Sequence, residues 1–128
     1  MKNIHHLFLG LLMFSACSGL IQAQGLLSPA EFAKKIKESS QVQLLDVRTP
    51  QEFASGHIES AKNINYYDLN FRSQVGSLDK NKPLYVYCQS GIRSAKAVSI
   101  LKSMGFRQIY DMEGGFGAWL RQGLKSVK

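Results

Sequence analysis

Along this chain the apolar positions switch between strand-like runs and helical spacing, and the switches predict its elements. Leu84 to Tyr87 is an unbroken apolar run following the turn-forming stretch Asp79-Lys-Asn-Lys-Pro83, which predicts a short strand buried on both faces. From Ser94 to Met104 the spacing is helical, with Ala97, Val98, Leu101 and Met104 as the inward stripe and Gly105 as the stop. This helix is predicted to start at Arg93 or Ser94. Ser28-Pro-Ala-Glu31 combines an N-cap serine, a proline at the first helical position and a capping glutamate, opening a helix that runs to about Glu38. Thr49-Pro-Gln-Glu52 repeats the device. Further strands are predicted over 42–47, 62–65 and 107–112, and a further helix over 116–122. The stretch 66–77 reads as either a helix or an irregular loop. Strands alternating with helices predict an α/β domain with a mainly parallel central sheet flanked by helices. Its ligand crevice is expected at the carboxyl ends of the strands.

The most informative segment joins the strand at Leu84–Tyr87 to the helix after it: Cys88-Gln-Ser-Gly-Ile-Arg93-Ser94. A strand delivers a cysteine into a short glycine-bearing loop that runs straight into a helix, so unpaired N–H groups and the positive end of the helix dipole converge on the sulfur. Such a setting favours the thiolate over the thiol, and Arg93 adds a cation. The competing reading is a buried structural cysteine closing a core strand.

With those residues in view, Cys88–Ser94 resembles the active-site loop of rhodanese-like sulfurtransferases. Leu44-Leu-Asp46-Val-Arg48-Thr-Pro-Gln-Glu52-Phe53-Ala-Ser-Gly56-His57-Ile58, followed by Ala61 and Asn63-Ile64, resembles the family's first signature, and Glu113-Gly-Gly-Phe-Gly-Ala-Trp119 its C-terminal one. The match covers about Leu27 to Leu124. It implies that Cys88 is the catalytic residue, accepting a sulfane sulfur as a persulfide and passing it to a thiophilic acceptor. It also implies that Gln89, Ser90, Gly91, Ile92, Arg93 and Ser94 form the substrate-binding loop. Four residues separate Cys88 from Arg93, the six-residue loop that the family associates with sulfur transfer. Phosphatase and arsenate-reductase relatives carry one residue more, which widens the cradle for a tetrahedral oxyanion. Many thiosulfate-using members have arginine directly after the cysteine. Gln89 stands there instead, which weakens the case for a doubly charged donor but not for a polysulfide or persulfide. Glu59-Ser60 replaces the usual Pro-Gly after His-Ile.

Asp46 and Arg48 end a strand on the edge where Cys88 sits, so they are candidates for shaping the site, with a structural ion pair as the plainer role. Glu52 reads as a helix cap rather than an acid catalyst. His57 reads as a packing residue, because a thiolate nucleophile needs no base. Gly114, Gly115 and Gly117 lack the lysine and the spacing of a phosphate loop and read as tight-turn glycines before a core Trp119.

At 128 residues and 45% hydrophobic content, with no internal repeat, the chain fits one domain that must hold its whole active site. Residues 24–128 are taken as that domain and 1–23 as a signal peptide. Lys2, His5 and His6 precede the apolar run from Leu7 to Cys17, which is short for a membrane span, and Ile21-Gln-Ala23 offers a cleavage site. An exported, periplasmic protein is expected. The alternative is a lipoprotein anchored through Cys17, since Phe14-Ser-Ala-Cys17 loosely resembles a bacterial lipobox. In either case Cys88 is the one thiol of the mature fold, and neither a CxxC pair nor a metal-ligand cluster is present. No cofactor or metal is expected, and a monomer is. The net charge is +7, falling to about +6 with Lys2 removed, but the lysines are scattered, with no aromatic-interleaved patch. Nucleic acid is therefore a poor partner, whereas a positive field helps collect small sulfur-containing anions. Two functions stay open: a sulfurtransferase that moves sulfur to thiol acceptors, and a non-catalytic rhodanese module that binds an anion or a partner protein.

Overall fold

The computed structural model describes residues 23–128. The 7–17 apolar run, Cys17 and most of the 1–23 segment lie outside them. Five parallel strands, β1 (Ala23–Leu27), β2 (Gln43–Asp46), β3 (Lys62–Asn63), β4 (Leu84–Tyr87) and β5 (Gln108–Met112), form one sheet in the order β1-β5-β4-β2-β3. The helices are α1 (Pro29–Glu38), α2 (Pro50–Ser55), α3 (Phe71–Val75), α4 (Ile92–Ser103) and α5 (Gly115–Arg121). Side chains alternate across each strand, so the sheet feeds two cores. On one face Leu45, Val86 and Ile109 pack with Phe71 and Val75 of α3 and with Ala97 and Leu101 of α4. On the other, Leu44, Tyr85 and Met112 pack with Phe32 of α1 and with Phe116 and Trp119 of α5. Both faces of β4 are buried, as its apolar run predicts. Phe32 has no exposed surface and meets Tyr85 edge-on, so truncating it to alanine would cost about 3–5 kcal/mol.

Both helix-opening caps form, although the expected capping role of the Glu31 side chain is not seen at Ser28. Ser28 accepts from the Glu31 N–H at 3.2 Å, and Thr49 with Glu52 forms a full capping box. One strand lies outside the predicted elements, and two expectations need adjusting. β1 carries no strand signal in Ala-Gln-Gly-Leu-Leu; the open edge of β5 creates it, through parallel pairing in the register Leu26↔Asp111. α4 starts at Ile92, one residue before the predicted start. Ile92 is 66% exposed and adds nothing to the apolar period. Within 66–77 the helix is the five residues of α3, which anchor through Phe71 and Val75, one turn apart.

Candidate active site

The connection after β2 leads to β3 on one side of the sheet, and the connection after β4 leads to β5 on the other. The carboxyl ends of β2 and β4, side by side at the sheet's centre, therefore flank a topological switch point, where α/β folds place ligands. Cys88 is the residue that follows β4. Its sulfur is fully buried, accepts the Gly91 N–H at 3.0 Å and lies 3.4 Å from the Ser94 hydroxyl. The Ser94 hydroxyl in turn donates to the Gly91 carbonyl at 3.2 Å. Gly91 is the N-cap of α4 at φ +107°, a backbone that side-chain-bearing residues rarely adopt, and this conformation turns its amide back onto the sulfur. The expected convergence of loop and helix N-terminus on Cys88 thus has a definite donor.

The loop is fastened to the first signature at two points. Arg93 donates to both oxygens of Glu52, at 2.7 and 2.9 Å, and its guanidinium lies 5.6 Å from the centre of the Tyr67 ring. The hydrogen bond from Arg93 is the main reason the Glu52 carboxyl is held down at about 2, and Glu52 in return raises Arg93. Arg93 is therefore neutralised by Glu52 rather than aimed unopposed at the sulfur, although the Cys88 charge contributes to its environment. Glu52 is the helix cap that the sequence indicates, and it is also the partner of the loop arginine.

Arg48 forms the second tie. Its guanidinium is 2% exposed and pairs with Asp46, which has no exposed surface, through contacts of 2.8 to 3.1 Å. It also donates to the Gly56 carbonyl at 2.7 Å, rests 4.3 Å from the Phe116 ring centre, and donates to the Gln89 side-chain oxygen at 3.1 Å. Asp46 and Arg48 are thus a buried ion pair with its hydrogen bonds filled, the arrangement that offsets desolvation, and removing either partner would cost about 3–5 kcal/mol. Through Gln89 the pair also sets the residue beside Cys88.

A third support comes from the C-terminal glycines. The Phe116 and Gly117 amides donate to the Cys88 and Gln89 carbonyls at 2.8 and 3.0 Å. Gly115, at φ +62°, passes so close that a Cβ there would lie 2.6 Å from the Cys88 carbonyl oxygen. Besides making a tight turn before Trp119, these glycines hold the first peptides of the loop.

Of the other loop residues, the Ser90 and Ile92 side chains are exposed, and Ser94 is buried against the sulfur. His57 stacks on Phe53 with ring centres 3.7 Å apart and bonds the Phe53 carbonyl, a structural role. The sequence reading does not bring out the Glu52–Arg93 pair, the Tyr67 contact, or Asp111, a buried carboxyl on β5 beside Ser94. An acidic residue inside a predicted strand is the available signal for Asp111. Among the described residues no group of three or more His, Cys, Asp or Glu side chains could hold a metal, and no helix is long and apolar enough to cross a membrane.

The family model described as "Rhodanese-like domain" matches residues 28–122. A thiosulfate sulfurtransferase, GlpE, of Shewanella oneidensis is 38% identical over 85 residues, 66% of this chain and 82% of that protein. An uncharacterized protein, YqhL, of Bacillus subtilis is 43% identical over 77 residues, and the match spans 60% of each chain. The crystal structure of a rhodanese-like domain protein from Staphylococcus aureus superposes with a TM-score of 0.69 at 36% identity, over 81% of this chain and 98% of that one.

Proposed function

Because this chain belongs to the rhodanese-like domain family, we propose that it is a sulfurtransferase that carries sulfane sulfur on Cys88. Sulfurtransferase activity in general is supported by relatives such as the Shewanella thiosulfate sulfurtransferase. The observation that carries the mechanism is the 3.0 Å donation from Gly91 N–H to Sγ at the start of α4, in a six-residue loop. The Cys88 thiolate attacks the outer sulfur of thiosulfate, a polysulfide or a small persulfide. One S–S bond forms as the donor's own S–S bond breaks, and sulfite, a shortened polysulfide or a thiolate leaves. An acceptor thiolate then attacks the outer sulfur of the Cys88 persulfide and restores Cys88. The persulfide's negative charge is favoured by the Gly91 amide and the helix N-terminus. Since Sγ is fully buried, its surroundings must open to admit a donor. The short loop disfavours phosphate ester hydrolysis.

The second reading, a non-catalytic module that binds an anion or a partner, is favoured by that same burial of Sγ. Mass spectrometry after incubation with thiosulfate or polysulfide separates the two. The transferase gains one sulfur on the Cys88 peptide and loses it to added thiol, and absence of that adduct with both donors would overturn this reading.

Export remains part of the proposal, with cleavage after Ala23 leaving Gln24–Leu27 to form β1 and anchoring through Cys17 as the alternative. N-terminal sequencing of the mature protein from an expressing bacterium distinguishes them.

A further inference from the structure

A cavity of about 440 Å³ opens beside the core that Leu44, Ile58 and Trp119 share, on the side of the sheet away from the core that contains Cys88. Its apolar walls are Ile36, Val42, Leu44, Ile58, Trp119 and Leu124, and its size is that of a small-molecule site. The rim is polar. Lys37 at the end of α1 and Lys125 beyond α5 bring two ammonium groups to it, Glu59 one carboxylate and Ser60 a hydroxyl. None of these three charged groups forms an ion pair among the described residues, so the rim carries an excess of positive charge. Ser60 is also the one described non-glycine residue at positive φ, +70°. Glu59-Ser60 stands where the family has Pro-Gly, and glycine would hold this turn without strain. The carboxylate and the hydroxyl on the rim therefore belong to this chain rather than to the family pattern.

We propose that this cavity binds a small amphipathic monocarboxylate, its acyl or aryl body lying against Leu44 and Trp119 and its carboxylate held at the rim by Lys125 and Lys37. The body accounts for the apolar walls, which gain by exchanging water for hydrocarbon. The carboxylate accounts for the excess of cation, since a neutral ligand leaves both lysines idle and a cationic one meets two like charges against one carboxylate. Trp119 already donates its Nε1–H to the Lys125 carbonyl at 3.0 Å, so its ring meets the ligand as an apolar surface, and the same bond fixes Lys125 at the rim. Lys37 lies in the last turn of α1, where its charge also offsets the negative helix end. The larger share of the anion's stabilisation thus falls to Lys125.

The site does not depend on Cys88 chemistry, so its test leaves the transferase reading untouched. Trp119 is the only tryptophan of the chain, and its emission reports the cavity directly. The purified protein is titrated at neutral pH and low salt with octanoate, 1-octanol and octylammonium, which share one apolar body and differ in charge. A saturable change in emission should come at the lowest concentration with octanoate and the highest with octylammonium. Lys125→Gln should raise the octanoate midpoint about 2- to 5-fold and Glu59→Gln should lower it, both side chains being exposed, and high salt should shrink both effects. Ala33→Leu, which adds bulk to the lining, should abolish the response; should that variant fail to fold, the two charge variants decide. No saturable response, equal midpoints for the three probes, or charge variants without effect overturns the proposal. So does a concentration-dependent emission change without any probe that coincides with dimer formation in sedimentation, which would give the cavity to a second copy of the chain.

Discussion

Arg93 and Glu52 form a two-point ion pair, with N···O distances of 2.7 and 2.9 Å, that ties the start of α4 to the start of α2. The cation of the Cys88 loop is thereby oriented by a carboxylate that already closes a capping box 41 residues upstream. Its first effect is to fix the loop, and its field at the sulfur is softened by Glu52.

Glu52→Gln should loosen the loop and reveal the pair's share of stability. The carboxyl is held at about 2, below its ordinary value, so its contribution is present above about pH 4.5 and is lost as pH falls toward 2. Because the pair is partly exposed, screening reduces it to about 1–2 kcal/mol at pH 7. Urea denaturation of both proteins at pH 7 and near pH 2 should show a difference that closes at the acid end. An equal difference at both pH values would assign the effect to the cap alone.

Gln89→Arg tests donor choice. A guanidinium there adds a charge-assisted contact for a doubly charged donor, so turnover with thiosulfate should gain on turnover with polysulfide by about 5- to 30-fold, or 1–2 kcal/mol. The structure adds a cost: Arg48 loses its acceptor and gains a like charge beside it, so the melting temperature should fall. Equal changes with the two donors would show that Gln89 does not set the preference.

Gly115→Ala and Gly123→Ala form a matched pair. Both glycines sit at positive φ, +62° and +71°, but only at Gly115 does a Cβ collide with the Cys88–Gln89 peptide. Gly123→Ala should cost about 1 kcal/mol from backbone conformation. Gly115→Ala should cost at least 2 kcal/mol more and lower persulfide formation. Similar losses in melting temperature and persulfide yield would remove the glycine turn as a support of the loop.

Asp111→Asn should also change the pH dependence of stability. A carboxyl raised to about 6 favours the fold fully below its unfolded value near 3.8, and this is lost as pH rises through 6. Relative to wild type, Asp111→Asn should therefore gain about 2–3 kcal/mol between pH 4 and pH 7 in denaturant melts. A constant offset would mean that Asp111 titrates normally.

The sequence alone determined the elements whose signals are local. The caps at Ser28 and Thr49 satisfy helix N–H groups within a few residues, and the apolar run of β4 is readable because all four of its residues are buried. The strand-loop-helix around Cys88 is legible for the same reason: its chemistry lies in seven consecutive residues. Tertiary structure decided what depends on distant partners. β1 exists because β5 offers an unpaired edge. Arg93 faces Glu52 because α2 and α4 start side by side at the switch point, Gln89 meets Arg48 because β2 and β4 are neighbours, and Asp111 lies by Ser94 because α4 crosses the β5 face. Hydrogen bonds and ion pairs act over a few ångströms of space, and sequence order does not state which residues 17 to 41 positions apart the fold will bring within that range.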